Sequence, residues 1–293
     1  MLLLFLSSFL FGLTHPLGAI LVQDEDTLVF SCQFLAMLTV LQLPFVIPKW
    51  REIKKMTFKR EFSLLLISGL IGTFLYWCEF SSLKVGLPIS HVTFLLLTVP
   101  AWILLYEYFK GEGTKWNLNK WVLALIGSVI LINPTRHGNF SVGYLLPIFT
   151  SLLTAAWLIY TKKSLEVGIS PIVSSFFNDL FSLIGVVAFI FLNGREQSLN
   201  PPQNYQNILL YSAVIGVLPN LFLYYGLRRT HVLAASLMIM LEPVISGILS
   251  VLIHQEELGL NFLIGALFIA VSNLPTGFLI YMRRNYISLS KFY

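Results

Sequence analysis

Residues 231–252 read HVLAASLMIMLEPVISGILSVL, an apolar run interrupted at its centre by Leu241-Glu242-Pro243. A hydrocarbon core about 30 Å thick is crossed by roughly 20 helical residues, so the run is long enough to span a bilayer. Lipid offers an open backbone no hydrogen bonds, and strands that cross membranes are about half as long, so the run must be an α-helix. Working outward, further runs of this kind lie at 2–22, 28–47, 62–83, 88–108, 118–133, 141–161, 170–193, 206–227 and 260–281. The expected fold class is an all-α integral membrane protein of ten transmembrane helices.

Composition agrees. The 293 residues are 56% hydrophobic and 11% charged, with a mean hydropathy of +0.79, whereas soluble domains carry about 25% charged residues. The net charge of +5 is spread over short clusters between apolar runs, which argues against a nucleic-acid face. Cys32 and Cys78 both lie inside apolar runs without metal-ligand spacing and read as small hydrophobes. The opening MLLLFLSSFLFGLTHPLGA has the apolar core of a signal peptide but no leading positive region, so it reads as an uncleaved first span.

Lysine and arginine orient the chain, because cytoplasmic loops accumulate them. With the N-terminus inside, sixteen of nineteen fall on the cytoplasmic side, among them Lys49 to Arg60, Lys162, Lys163, Arg228, Arg229, Arg283, Arg284 and Lys291. Lys84, Arg136 and Arg195 fall outside. Both termini are expected in the cytoplasm, with the chain multi-pass in the cytoplasmic membrane. The basic run 49–60 serves as a topology determinant that touches anionic lipid head groups.

The chain also repeats itself. Ile71-Gly72 through Lys84 runs beside Ile215-Gly216 through Arg228, and Pro100 then falls beside Pro243. The acidic exit at Lys110-Gly111-Glu112 matches Gln255-Glu256-Glu257. Two five-helix halves, residues 1–136 and 137–293, must lie upside down to one another because five is odd. Inverted repeats with a midplane site are an architecture of secondary transporters.

Four features carry a family resemblance: Phe11-Gly12-Leu13-Thr14-His15-Pro16, Ala155-Ala156-Trp157-Leu158-Ile159-Tyr160, and the two proline-to-acid exits, above all Leu241-Glu242-Pro243 with Glu256-Glu257. The sequence resembles the EamA family of the drug/metabolite transporter superfamily over nearly its whole length. The resemblance implies a five-plus-five inverted repeat moving a metabolite through a central cavity, commonly in export. It departs from the family's usual aromatic-glycine-asparagine opening by carrying Thr14-His15-Pro16.

Ionisable groups deep in a bilayer are expensive and must face a cavity or a partner. Asp179 and Glu242 lie near mid-span, His15 and Glu79 nearer one end. Glu242 reads either as a substrate or proton site beside a helix that Pro243 breaks, or as a carboxylate tying helices together. Asp179 with Asn178 is less explained by the family pattern and is the more particular candidate. His15 either bonds substrate or ties the first helix to a neighbour. Glu79 is expected to pair with Lys84 near the interface. Tyr76, Trp102 and Trp157 are candidates to stack on substrate, with Asn220 after Pro219 as a polar neighbour.

No HExxH helix, phosphate-binding glycine loop or paired nucleophile and base is present in the sequence, so an enzyme is the weaker reading. A secondary transporter of a small metabolite, an amino acid or related compound, fits best, without a cofactor and with protons as the coupling ion. Uptake or exchange of a nucleotide-like or other metabolite is the alternative, ahead of a polytopic membrane enzyme.

Overall fold

The computed structural model of the chain describes residues 2–23, 25–56, 58–113, 115–132, 142–194 and 205–273. Its regular elements are all helical, and eight helical runs have the length and composition to cross a membrane. These are α1 (Leu2–Val22), α2 (Thr27–Ile53), α3 (Arg60–Lys84), α4 (Ile89–Phe109), α6 (Val142–Glu166), α7 (Pro171–Leu192), α8 (Tyr205–Arg228) and α9 (Val232–His254). Two further helices, α5 (Lys115–Ile132) and α10 (Leu260–Ser272), occupy the fifth and tenth places in chain order. The first turns of α5 carry Lys115, Asn117, Asn119 and Lys120, which leave its apolar stretch short. The end of the expected tenth span, residues 274–281, and the topology residues Arg136, Arg195, Arg283, Arg284 and Lys291 lie outside the described residues.

Glycine and acid side chains end and begin these helices. Gly86 and Gly168 follow α3 and α6 with φ of 80° and 102°, the left-handed conformation that lets a terminating chain turn back. Asp26 starts α2 by accepting from the backbone N–H of Leu28 at 2.9 Å.

Polarity runs from outside to inside. Val129, Leu210, Leu252 and Leu267 are exposed apolar side chains of a kind that suits lipid rather than water. Buried within the bundle are Ser7, Ser8, His15, Gln42, Asn178 and Asp179. Once inserted, helices associate through close packing and hydrogen bonds, because lipid tails are as apolar as leucine. α5 and α10 cross at Gly127 and Gly265, where a methyl group added to Gly127 would lie 2.8 Å from the carbonyl oxygen of Gly265. α3 meets α7 through Gly69 and Gly72, and Ser182 Oγ donates to the Gly69 carbonyl at 3.0 Å. Further packed pairs are α1 with α8, α3 with α6, α2 with α7 and α4 with α9.

Several spans are not continuous α-helix. α1 divides into Leu2–Phe11 and Thr14–Val22, α4 into Ile89–Leu96 and Val99–Phe109, and α9 into Val232–Ile239 and Leu241–His254. Pro16, Pro100 and Pro243 each sit in the first turn of the second piece, where a missing N–H costs least. α8 passes through a π-helical segment, Ser212–Val217, just before Pro219.

Candidate functional site

The breaks place polar groups at the middle of the bundle. His15 falls in the first turn of the second piece of α1, and Glu242 in the first turn of the second piece of α9. A helix start carries partial positive charge, so Glu242 sits where its carboxylate is electrostatically welcome. Each break needs its loose carbonyls met. Ser8 Oγ reaches from α1 to the Met238 carbonyl at 2.9 Å, at the end of the first piece of α9. In α4, Thr98 Oγ1 and Trp102 Nε1 both donate to Ser151 Oγ of α6, at 2.8 and 2.9 Å. Asn273 Nδ2 donates to the Leu97 carbonyl at 2.6 Å beside the same break.

Between α1, α2, α3, α6, α8 and α9 lies a cavity. Phe11, Phe34, Tyr76, Phe80 and Trp157 give it aromatic walls, and Glu79, Asn220 and Glu242 are among its polar lining. The ring of His15 is fully buried against it, with Nε2 3.4 Å from Glu79 Oε1 and Nδ1 3.9 Å from Glu242 Oε1. The two carboxylate side chains keep 14% and 15% of their surface accessible. An imidazole between two carboxyl groups is an arrangement through which a proton can be passed or held. Among the described residues no group of three or more His, Cys, Asp or Glu is placed to hold a metal ion.

The expected Glu79–Lys84 pair is corrected here. Glu79 points to His15, and Lys84 Nζ donates instead to the Glu25 carbonyl at 2.5 Å. Five helical residues separate side chains by about 140° around the axis, so Glu79 and Lys84 do not share a face.

The remaining candidates divide by position. Tyr76, Trp157 and Asn220 line the cavity together with Glu242. Asp179 is buried behind it, accepting from Gln42 Nε2 at 2.7 Å and from the Tyr76 hydroxyl at 3.5 Å. Asn178 accepts from Ser68 Oγ and so ties α7 to α3. Trp102 stands outside the lining, edge-on to Trp121 with ring centres 5.7 Å apart, and braces the α4 break. Gln42 and the paired role of Glu79 were not singled out from sequence. Gln42 is a polar residue in an apolar run, the same signal that exposed Asp179.

Residues 141–274 match the EamA-like transporter family. A protein of Clostridium kluyveri named "Uncharacterized transporter" is 27% identical, over 61% of this chain and 58% of its own length. The chain thus spans less than two thirds of that curated relative. A solved crystal structure superposes with a TM-score of 0.65 over 93% of this chain and 94% of its own at 16% identity, a likeness of fold. Over residues 141–274 the chain is thus similar to the EamA-like transporter family, and its eight long apolar helices are those of a multi-pass membrane protein.

Proposed function

We propose that the chain is a secondary carrier that moves a small metabolite, an amino acid or related compound, out across the cytoplasmic membrane by alternating access. The observation that carries this reading is the His15–Glu79–Glu242 cluster, set at two helix breaks on the wall of a central cavity. Broken helices at a midplane site are how carriers expose backbone and charge to a substrate without exposing them to lipid.

The ten-helix inverted repeat, with halves 1–136 and 137–293, is supported by the packing. Exchanging each helix for the one five places along maps α2–α7, α4–α9 and α5–α10 onto themselves. The same exchange turns α3–α6 into α8–α1, α2–α3 into α7–α8, and α4–α6 into α9–α1, all of which are packed pairs. The braces follow the rule as well, since Ser151 of α6 holds the α4 break and Ser8 of α1 holds the α9 break. Such a bundle can rock about its pseudo-symmetric centre, opening the cavity to one side and then the other.

In this reading His15, Tyr76, Glu79, Trp157, Asn220 and Glu242 contact substrate, and Asp179 positions the Tyr76 hydroxyl. Asn178 and Trp102 hold helices in place. Protons are the coupling ion, carried by Glu79 and Glu242. The titratable groups set against these two are His15 from α1, Tyr76 from α3 and Tyr211 from α8, with Asp179 and Tyr224 lying beyond Tyr76. The distribution of lysine and arginine supports a cytoplasmic position for both termini.

The test is transport by the purified protein in vesicles containing a pH-reporting dye. An amino-acid or amine gradient should drive counter-movement of protons that a protonophore collapses. Movement of substrate that ignores both the protonophore and imposed pH steps would overturn the coupling, and no movement of any compound would overturn the carrier reading.

A further inference from the structure

The cavity carries more acid than base. Glu79 and Glu242 both line it, and none of its described lining residues is a lysine or arginine. Among the described residues, the basic group set against these acids is the His15 ring. One imidazole balances at most one carboxylate. With both acids ionised, the cavity would hold uncompensated negative charge inside a membrane, which is costly. Either protons or a cationic group must enter to neutralise it, and the lining decides which cation the cavity suits.

The walls suit a cation with an apolar body. Phe34 meets Tyr76 and Phe80 edge-on, with ring centres 5.8 and 5.5 Å away, and Trp157 meets Tyr224 edge-on at 5.9 Å. Aromatic faces attract cations, most strongly where water is excluded. Two polar atoms on the lining lack a hydrogen-bond partner: Thr14 Oγ1 and Trp157 Nε1. Their residues are only 7% and 8% exposed, so neither atom is satisfied by bulk water. A buried polar atom without a partner in a functional cavity points to a ligand group that completes it.

An anionic group finds no such reception. The positive start of the second piece of α9 carries the acidic side chain of Glu242 in its first turn. A substrate carboxylate would face two acids and no guanidinium or ammonium.

Resting on the reading of this cavity as the carrier's substrate site, we propose that its substrate is an organic cation: an ammonium-type head held between Glu79 and Glu242, with a flat apolar body against the aromatic wall. Within the range proposed above, this narrows the cargo to the related compound that carries an ammonium group and no carboxylate, an amine.

Four compounds that share one ring and differ in charge test this: phenethylamine, phenylalanine, 2-phenylethanol and phenylacetate. Binding is measured by titration calorimetry on the purified full-length protein in detergent, at a pH where the amine is protonated. Phenethylamine should bind at least about tenfold more tightly than the other three, and phenylacetate should not bind. Glu79→Gln and Glu242→Gln should each weaken the amine about tenfold or more, while leaving any residual binding of 2-phenylethanol unchanged. Equal binding of amine and alcohol, preference for phenylalanine, or no binding of the amine would each overturn the proposal. Since charge selectivity is read on the native protein, misfolding of a variant does not rescue the idea. Vesicle transport separates the two readings: movement of phenylalanine without the amine sinks the cation assignment alone, whereas tight amine binding without movement sinks the carrier reading alone.

Discussion

His15 and Glu242 come from opposite halves of the chain and meet with Nδ1 3.9 Å from Oε1, each in the first turn of a helix that restarts after a break. Neither break alone makes a site. Together they bring an imidazole and a carboxylate to one point, and Glu79 on α3 closes the group from the other side.

His15→Ala removes the bridge and leaves two acids facing each other with a void between them. Transport of the best-bound compound should fall about tenfold or more, and thermal stability should fall with it, since removing a fully buried side chain leaves a cavity. His15→Gln fills the space and donates a hydrogen bond. It should restore stability but not transport. Normal transport by His15→Ala in vesicles would show that the ring is only a helix tie.

Gly265→Ala probes the α5–α10 crossing. The added methyl would lie 2.6 Å from both the Gly127 carbonyl oxygen and the Leu131 backbone nitrogen, and backbone cannot yield as a side-chain tip does. The expected cost is about 1–3 kcal/mol, read as a lower thermal midpoint. An unchanged midpoint would mean that the two helices separate more easily than their packing implies.

Glu256 reaches from the end of α9 to the start of α4, where its carboxylate accepts from the backbone N–H groups of Ile89 and Ser90. That acts as a cap supplied by another helix. Glu256→Ala should cost about 1 kcal/mol, or roughly 2–4 °C of thermal midpoint. The exposed neighbour Glu257→Ala should leave the midpoint unchanged. Equal effects of the two substitutions would remove the capping role.

The bundle was legible because length and apolarity are properties of each run taken alone. Of the ten expected spans, nine begin and end within a few residues of the helices, the largest extension being α2, which continues past residue 47 to Ile53. The prolines marked the breaks for the same local reason. Helix faces were not legible: α1 and α3 are apolar nearly all round, so no stripe told which side His15 or Glu79 presents. Nearness in sequence therefore favoured Lys84 for Glu79, whereas the actual neighbour is His15 on another helix. The direction of Trp102 was hidden for the same reason. Its depth suggested the cavity, but its direction turns the indole toward Ser151.

Asp179 shows how the site extends behind its wall. It is 1% exposed, Gln42 Nε2 holds one oxygen at 2.7 Å, and the Tyr76 hydroxyl, 3.5 Å from the other, belongs to a residue that lines the cavity. If Asp179 acts by orienting Tyr76, removing either member breaks the same arrangement, and the two losses cannot add. Asp179→Asn and Tyr76→Phe should therefore each weaken substrate binding by a similar factor, about three- to tenfold, and the double variant should be no worse than either one. Gln42→Leu should act differently. It strips the stronger donor from a buried carboxylate and should cost about 1–3 kcal/mol of stability, while the combined Gln42→Leu and Asp179→Leu variant recovers part of that loss because no polar group is left stranded. Additive losses of affinity in the Asp179 and Tyr76 pair would give Asp179 a contact of its own with the substrate, and would move the charge centre of the cavity toward α7.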